Sequence, residues 1–158
     1  MEGVLDSEGI FDATAGLPEQ IEQAAKAAAG LGPLPDGSWV EQIVVMGMGG
    51  SGVAGDILAG VAGPFLPVPV TVVKSYECPS FVGEGSLVFA VSASGNTEET
   101  IEAASDAALH GAKVVAVTGG GELARLAGGW GAPLVPVPDL PQPRTAVGAM
   151  AIPAMVVL

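Results

Sequence analysis

The chain has 158 residues, which favours one domain with enough length to bury a core. Its 5 Lys plus Arg against 17 Asp plus Glu give a net charge of −12 at pH 7. Nucleic acids and anionic membrane surfaces are bound through Lys and Arg, so we expect neither as a partner. The apolar runs are also shorter than the ~20 residues that span a bilayer. A single cysteine, Cys78, which we interpret as a bystander, excludes an internal disulfide and favours a cytoplasmic location.

The charged fraction predicts that part of the surface is covered by another domain or chain. Only 14% of the residues are charged, against roughly 25% in an average domain. Residues 149–158 are an apolar run at the end of the sequence. We expect residues 1–17 to form a tail or a subunit contact, and the sequence leaves both open.

The pattern of elements along the chain predicts an α/β fold. Pro18 opens a helix over residues 19–29, which are rich in Ala, Glu and Gln and end at Gly30. Short apolar runs predict five buried strands, at residues 43–46, 70–73, 87–91, 113–117 and 134–137. Further helices are predicted at residues 51–60, 97–109 and 122–127 and from Pro143 onward. This βαβ spacing predicts a doubly wound five-stranded parallel sheet with helices on both faces, whose ligands bind beyond the carboxyl ends of the strands.

A glycine-rich loop follows the first predicted strand. Residues 47–56 read Gly-Met-Gly-Gly-Ser-Gly-Val-Ala-Gly-Asp, between that strand and a helix. Glycines let the backbone approach a ligand closely, and the helix N-terminus supplies N–H groups and a partial positive charge. Ser51 adds a hydroxyl, so this loop predicts an anion site.

The same loop leaves a dinucleotide site open as an alternative. Gly47, Gly49 and Gly52 satisfy the G-x-G-x-x-G fingerprint, which expects a ribose-binding acid about twenty residues later. No acid occurs there; the second strand instead ends in Lys74, which could meet the 2′-phosphate of NADP. A Walker phosphate loop is excluded, because the sequence contains no Gly-Lys-Ser or Gly-Lys-Thr.

A second polar loop follows the third predicted strand. Residues 92–97 read Ser-Ala-Ser-Gly-Asn-Thr and contain three hydroxyl groups, those of Ser92, Ser94 and Thr97. Hydroxyls and main-chain N–H groups suit a phosphate that keeps both charges. The alternative is helix capping by Ser94, Asn96 or Thr97, with Glu98 and Glu99 favoured by the helix dipole. Capping explains one hydroxyl and not three, so we expect the two loops to converge on one phosphate.

Two further side chains are candidates for a role in chemistry. Arg144 begins the last predicted helix, where a cation opposes the dipole unless an anion is nearby; the alternative is an ordinary surface arginine. His110, the only histidine, ends a helix beside Gly111, and we interpret it as structural.

Three motifs together resemble those of the bifunctional phosphoglucose/phosphomannose isomerases, which belong to the sugar isomerase (SIS) domain superfamily. The motifs are residues 47–56, residues 92–100 and the Gln-Pro-Arg of residues 142–144. Residues 111–118 also match, so the resemblance runs from Ile43 to the end. It implies that residues 1–158 form a single SIS domain, and that the second SIS domain of the family is absent. Such enzymes convert glucose 6-phosphate or mannose 6-phosphate to fructose 6-phosphate without metal or cofactor, and they are dimers.

The resemblance also implies roles for individual residues. It assigns the phosphate to Gly49, Gly50, Ser51, Ser92, Ser94 and Thr97, and it assigns stabilisation of the enediolate to Arg144. The family's carboxylate base, ring-opening histidine and a further lysine lie in its second half, so we expect this chain to bind the sugar phosphate weakly, with little turnover. A non-catalytic phosphosugar-binding SIS module is the alternative, and an NADP-binding Rossmann domain is the second.

Overall fold

One parallel sheet of five strands organises the chain. The structure is a computed structural model, and it describes residues 6–31, 37–139 and 143–158. The strands are β1 (Gln42–Met46), β2 (Val70–Val73), β3 (Ser86–Ser92), β4 (Lys113–Thr118) and β5 (Leu134–Pro136). They lie in the order β2-β1-β3-β4-β5, and every neighbouring pair is parallel.

Helices cover both faces of this sheet. They are α1 (Ile10–Ala15), α2 (Leu17–Ala29), α3 (Gly49–Val61), α4 (Glu98–Leu109), α5 (Gly121–Trp130) and α6 (Val147–Val157). Ile43 and Val45 of β1 face the core that holds α2, α3 and α6, whereas Val44 and Met46 face α4 and α5. The strands are therefore apolar on both sides, as parallel strands between two helical layers require. The predicted doubly wound fold is confirmed.

Most predicted elements are present, with small shifts at their ends. Helix α3 begins at Gly49, two residues before the predicted start, so two loop glycines belong to its first turn. Strand β5 ends at Pro136, one residue early. The helix predicted from Pro143 begins as a 3-10 turn, Pro143–Ala146, and continues as α6.

Helix α1 is a feature that the sequence did not predict. None of its residues is buried, and its six residues are too few to show the apolar periodicity of a helix. The carboxylate of Asp6 accepts hydrogen bonds from the amides of Ile10 and Phe11, both at 2.9 Å, and so satisfies the first turn. Part of residues 1–17 is thus helical, and their role as a tail or a subunit contact stays a prediction.

Gly55 is a point of close contact between α3 and the sheet. A Cβ atom there would be 2.9 Å from Val72 Cγ1 and 3.0 Å from Val45 Cβ. Both neighbours belong to strands, so they have little freedom to move. Gly60, on the same helix, has no atom within 4 Å of such a Cβ.

We therefore expect opposite effects from two substitutions on one helix. Gly55→Ala should lower the free energy of unfolding by about 1–3 kcal/mol, because it overpacks the contact between α3 and the sheet. Gly60→Ala should raise it by about 0.4–1 kcal/mol, because alanine reduces the entropy of the unfolded chain. Urea denaturation of both variants tests this, and equal effects would contradict the packing of α3.

The segment after β2 brings Tyr76 towards α4. Tyr76 is 45% exposed, and the carboxylate of Glu99, with smaller contributions from burial, Glu98 and Glu102, raises the pKa of its hydroxyl. The negative charges have this effect because they disfavour the phenolate. Tyr76 is the only tyrosine, so absorbance at alkaline pH follows its ionisation alone.

We expect the ultraviolet titration of Tyr76 to have its midpoint above the ordinary 10.0, and Glu99→Gln to lower that midpoint. Glu19→Gln, on α2 at the other face of the sheet, is the control and should leave the midpoint unchanged. If the midpoint is the same in Glu99→Gln as in the wild type, Tyr76 does not approach α4.

Candidate functional site

The candidate site lies at the carboxyl ends of β1 and β3, the two neighbouring strands at which the sheet changes direction. The chain leaves β1 through α3 towards β2 at one edge, and it leaves β3 through α4 towards β4 and β5 at the other. In doubly wound sheets with this strand order, the ligand crevice opens at this switch point. Both polar loops singled out from the sequence border it.

The first loop approaches the end of β3 at Gly47. A Cβ atom on Gly47 would be 2.9 Å from the carbonyl oxygen of Val91, the residue before the second loop. Met48 is extended, and its carbonyl accepts hydrogen bonds from the amides of Ser51 and Gly52 at 3.0 and 3.2 Å. Gly49 has φ +51°, a conformation that favours glycine. The first turn of α3 therefore starts beside the second loop.

Ser51 does not expose its hydroxyl to the crevice. The residue is 7% exposed, and its Oγ lies 3.3 Å from Sδ of Met150 on α6. A thioether is a weak acceptor, so this contact holds the hydroxyl loosely. The hydroxyl would have to rotate away from Met150 to reach a phosphate.

The second loop is held by its own hydroxyl groups. Ser92 is fully buried, and its Oγ lies 2.9 Å from Oγ1 of Thr97 and accepts the amide of Gly95 at 3.1 Å. Thr97 precedes α4 but makes no side-chain capping bond. Ser94 is exposed, and its Oγ accepts the amide of Asn96 at 3.2 Å. Capping therefore does not explain the Thr97 hydroxyl. Of the two serines in this loop, Ser94 is the one that faces solvent.

Asn96 has a contact that the sequence reasoning missed. Its Oδ1 accepts a hydrogen bond from the amide of Glu122, in the first turn of α5, at 3.1 Å. The two residues are 26 positions apart, and neither loop by itself signals the other. The only sequence hint is the glycine run of residues 119–121 at the end of β4.

Arg144 lies in the 3-10 turn that precedes α6, and this turn packs against α3. Its side chain is exposed, and no carboxylate pairs with it among residues 6–31, 37–139 and 143–158. Gln142, the first residue of the predicted Gln-Pro-Arg motif, lies outside the described residues. The fold thus brings the Arg144 segment to the same helix whose N-terminus the first loop forms.

Lys74, the candidate for a 2′-phosphate, is already paired. Its Nζ lies 2.6 Å from Oδ2 of Asp56 on α3, and its stem covers Gly52, where a Cβ would be 2.8 Å from Lys74 Cε. The pair is partly exposed, so it contributes little to stability. It does keep the ammonium beside a carboxylate, which weakens the case for a dinucleotide.

The remaining titratable candidates lie away from the crevice. His110 caps the C-terminal end of α4, opposite the end that carries the second loop. Burial, and to a lesser extent the carboxylate of Asp106, raises the pKa of the Cys78 thiol.

Within the described part of the chain, no group of three or more His, Cys, Asp or Glu side chains could hold a metal ion. In the same residues, no helix has the length and apolarity to cross a membrane.

Several known proteins are similar to this chain in sequence. It is 36% identical over 146 residues to the bifunctional phosphoglucose/phosphomannose isomerase of Caldicellulosiruptor bescii, an alignment that covers 92% of this chain and 43% of the relative. It is 44% identical over 111 residues to the protein of the same name from Thermoplasma acidophilum, covering 70% and 34% of the two chains. The chain therefore spans less than half the length of these relatives. The expected resemblance is confirmed.

The fold and a family profile agree with these relatives. The C-terminal domain of glucosamine-fructose-6-phosphate aminotransferase from Francisella tularensis superposes with a TM-score of 0.69 at 18% identity, covering 96% of this chain and 48% of that one. The SIS domain profile matches residues 39–127, which include β1 to β4 and both polar loops. The chain belongs to the SIS domain family.

Proposed function

We propose that this chain is the phosphate-binding half of a sugar-phosphate aldose–ketose isomerase. The reaction converts glucose 6-phosphate or mannose 6-phosphate to fructose 6-phosphate through an enediolate. The observation that carries the proposal is the convergence of two polar loops, with Gly47 against the Val91 carbonyl at the switch point. The names of the relatives at 36% and 44% identity support the same chemistry.

The phosphate is held in this proposal by donors from both loops. Ser94 and Thr97 supply hydroxyls from the second loop, and the main chain at Gly49 and Gly50 supplies the first turn of α3. Two helix N-termini, those of α3 and α4, add their partial positive charge.

Two further serines complete the phosphate site. Ser51 contributes its hydroxyl once it has rotated away from the Met150 sulfur. Ser92 has no exposed surface, so it acts mainly by orienting the hydroxyl of Thr97, 2.9 Å away.

Arg144 stabilises the enediolate in this proposal. Proton transfer between C1 and C2 passes through an oxyanion, and a fixed cation beside that oxygen lowers the barrier. The exposed guanidinium, unpaired among the described residues, is available for such a contact. The transfer also needs a positioned base, and no carboxylate of this chain matches the family's base. We therefore propose binding with little turnover for the chain alone.

The chain is further proposed to be one SIS domain that works in the cytoplasm and pairs with a second SIS domain or a second copy. The low charged fraction and the exposed apolar side chains, among them Phe65 at 87% and Leu109 at 83%, support a covered surface. Residues 1–17, with α1, are a candidate for part of that contact.

Light scattering tests the pairing. We expect the purified chain to run as a dimer at micromolar concentration, with a monomer fraction that grows on dilution. A monodisperse monomer at every concentration would contradict the homodimer.

The phosphate site is tested by calorimetry with fructose 6-phosphate. Ser94→Ala should weaken binding by about ten- to a hundredfold, because it removes a hydrogen bond to a charged group. Ser105→Ala is the matched control, because this serine bonds the Ile101 carbonyl on the far part of α4 and should not affect affinity.

Two comparators separate the alternatives. Binding of sugar phosphate with no turnover, even when a second SIS domain is supplied, would favour the non-catalytic module. Firm binding of NADPH without competition by sugar phosphate would favour the dinucleotide domain and contradict the proposed function.

A further inference from the structure

We infer that Asn96 and Gly121 are positioning residues for the second polar loop, and that they give it the shape in which it binds a phosphate. This inference rests on the proposed function. The positioning element runs from the last residue of β4 to the first turn of α5, residues 118–123, and is here called the β4–α5 turn. It contains no residue assigned to the phosphate.

Backbone contacts fit the β4–α5 turn against the second loop. Gly95 has φ +70°, and a Cβ atom there would lie only 1.8 Å from the carbonyl oxygen of Gly120. A Cβ atom on Gly121 would lie 2.6 Å from the carbonyl oxygen of Ser94 and 2.7 Å from Oδ1 of Asn96. Neither position has room for a larger residue, so the two loops fix each other's backbone.

Three hydrogen bonds join the same two loops. The amide of Gly119 donates to the carbonyl of Ala93 at 3.1 Å, and the amide of Leu123 donates to the carbonyl of Gly95 at 2.9 Å. The amide of Glu122 donates to Oδ1 of Asn96 at 3.1 Å. Helix α5 has Gly120 as its N-cap and no side-chain capping bond of its own, so Asn96 supplies the missing cap from the neighbouring loop.

This arrangement sets the polarity of the second loop. All three acceptors are oxygen atoms, which would repel a phosphate if they faced it. The N–H groups of the β4–α5 turn draw these oxygens away, so the hydroxyls of Ser94 and Thr97 remain for the anion. A small shift of this backbone would misalign the donors, and charge-assisted hydrogen bonds weaken steeply with misalignment.

The two ends of α5 offer a matched pair of substitutions. Gly121 at the start and Gly131 at the end both have φ +66°, a value that strains alanine at either position. Only at Gly121 does the added Cβ also meet the second loop; at Gly131 nothing lies within 4 Å of it. The difference between the two variants therefore isolates the contact with the loop.

The experiment measures fructose 6-phosphate affinity by calorimetry, and hydrogen–deuterium exchange over residues 92–97, on the full 158-residue chain. Gly121→Ala should weaken binding by about tenfold or more, the loss expected for one misaligned charge-assisted hydrogen bond, and should speed exchange in the loop. Gly131→Ala should have neither effect, and it should lower the melting temperature less than Gly121→Ala, because its added Cβ meets no other atom.

Asn96 provides the second arm. Asn96→Ala should speed exchange in residues 92–97, and Asn96→Asp, which keeps an acceptor oxygen for the Glu122 amide, should restore the protection. Equal affinities for Gly121→Ala and Gly131→Ala, or unchanged exchange in Asn96→Ala, would overturn the inference. If the wild-type chain binds no sugar phosphate, the proposed function fails, and the exchange comparison still decides whether this contact positions the loop.

Discussion

The pairing of β1 with β3 is the interaction on which the candidate site depends. The two strands pair in parallel with Met46, the last residue of β1, opposite Ala90, and β3 continues to Ser92. Because the crossovers from these strands run in opposite directions, the gap between their ends lies at the switch point of the sheet. Gly47 fills that position with its backbone alone, against the Val91 carbonyl, and the first turn of α3 is thereby directed at the second loop.

The fold could be predicted because its main signals are local. Each strand is a short, continuous apolar run, and each break carries glycine or proline, so the order of elements follows from the residue types. Helix α1 was not predicted because it has no buried face. Its start is instead stabilised by the carboxylate of Asp6, which accepts the amides of Ile10 and Phe11. The early start of α3 was not predicted because glycine has a low helix propensity. Tertiary packing of the neighbouring residues overrides that preference.

The sequence predicted which residue types form the candidate site, but it did not predict which of these residues contact each other. Hydroxyls and glycines after two strands identified both loops. The orientation of the Ser51 hydroxyl depends on Met150, 99 residues later, and the role of Asn96 depends on α5, 26 residues later. Such contacts exist only once the sheet has brought distant segments together. For that reason the sequence could assign three hydroxyls to one anion but could not separate the exposed Ser94 from the buried Ser92.

The charge of the chain constrains how any anion could bind here. A net charge of −12 repels a phosphate at long range, so the attraction has to come from groups within a few ångströms. Hydroxyls, backbone N–H groups and helix N-termini meet this need, because they act at short range and add no charge. The carbonyl oxygens of Ala93 and Gly95 in the second loop bond to amides of the β4–α5 turn, which engages two acceptors that would repel an anion. In the proposed phosphate site, selectivity for an anion therefore depends on the orientation of neutral groups, with Arg144 as the exposed cation in the turn that packs against α3.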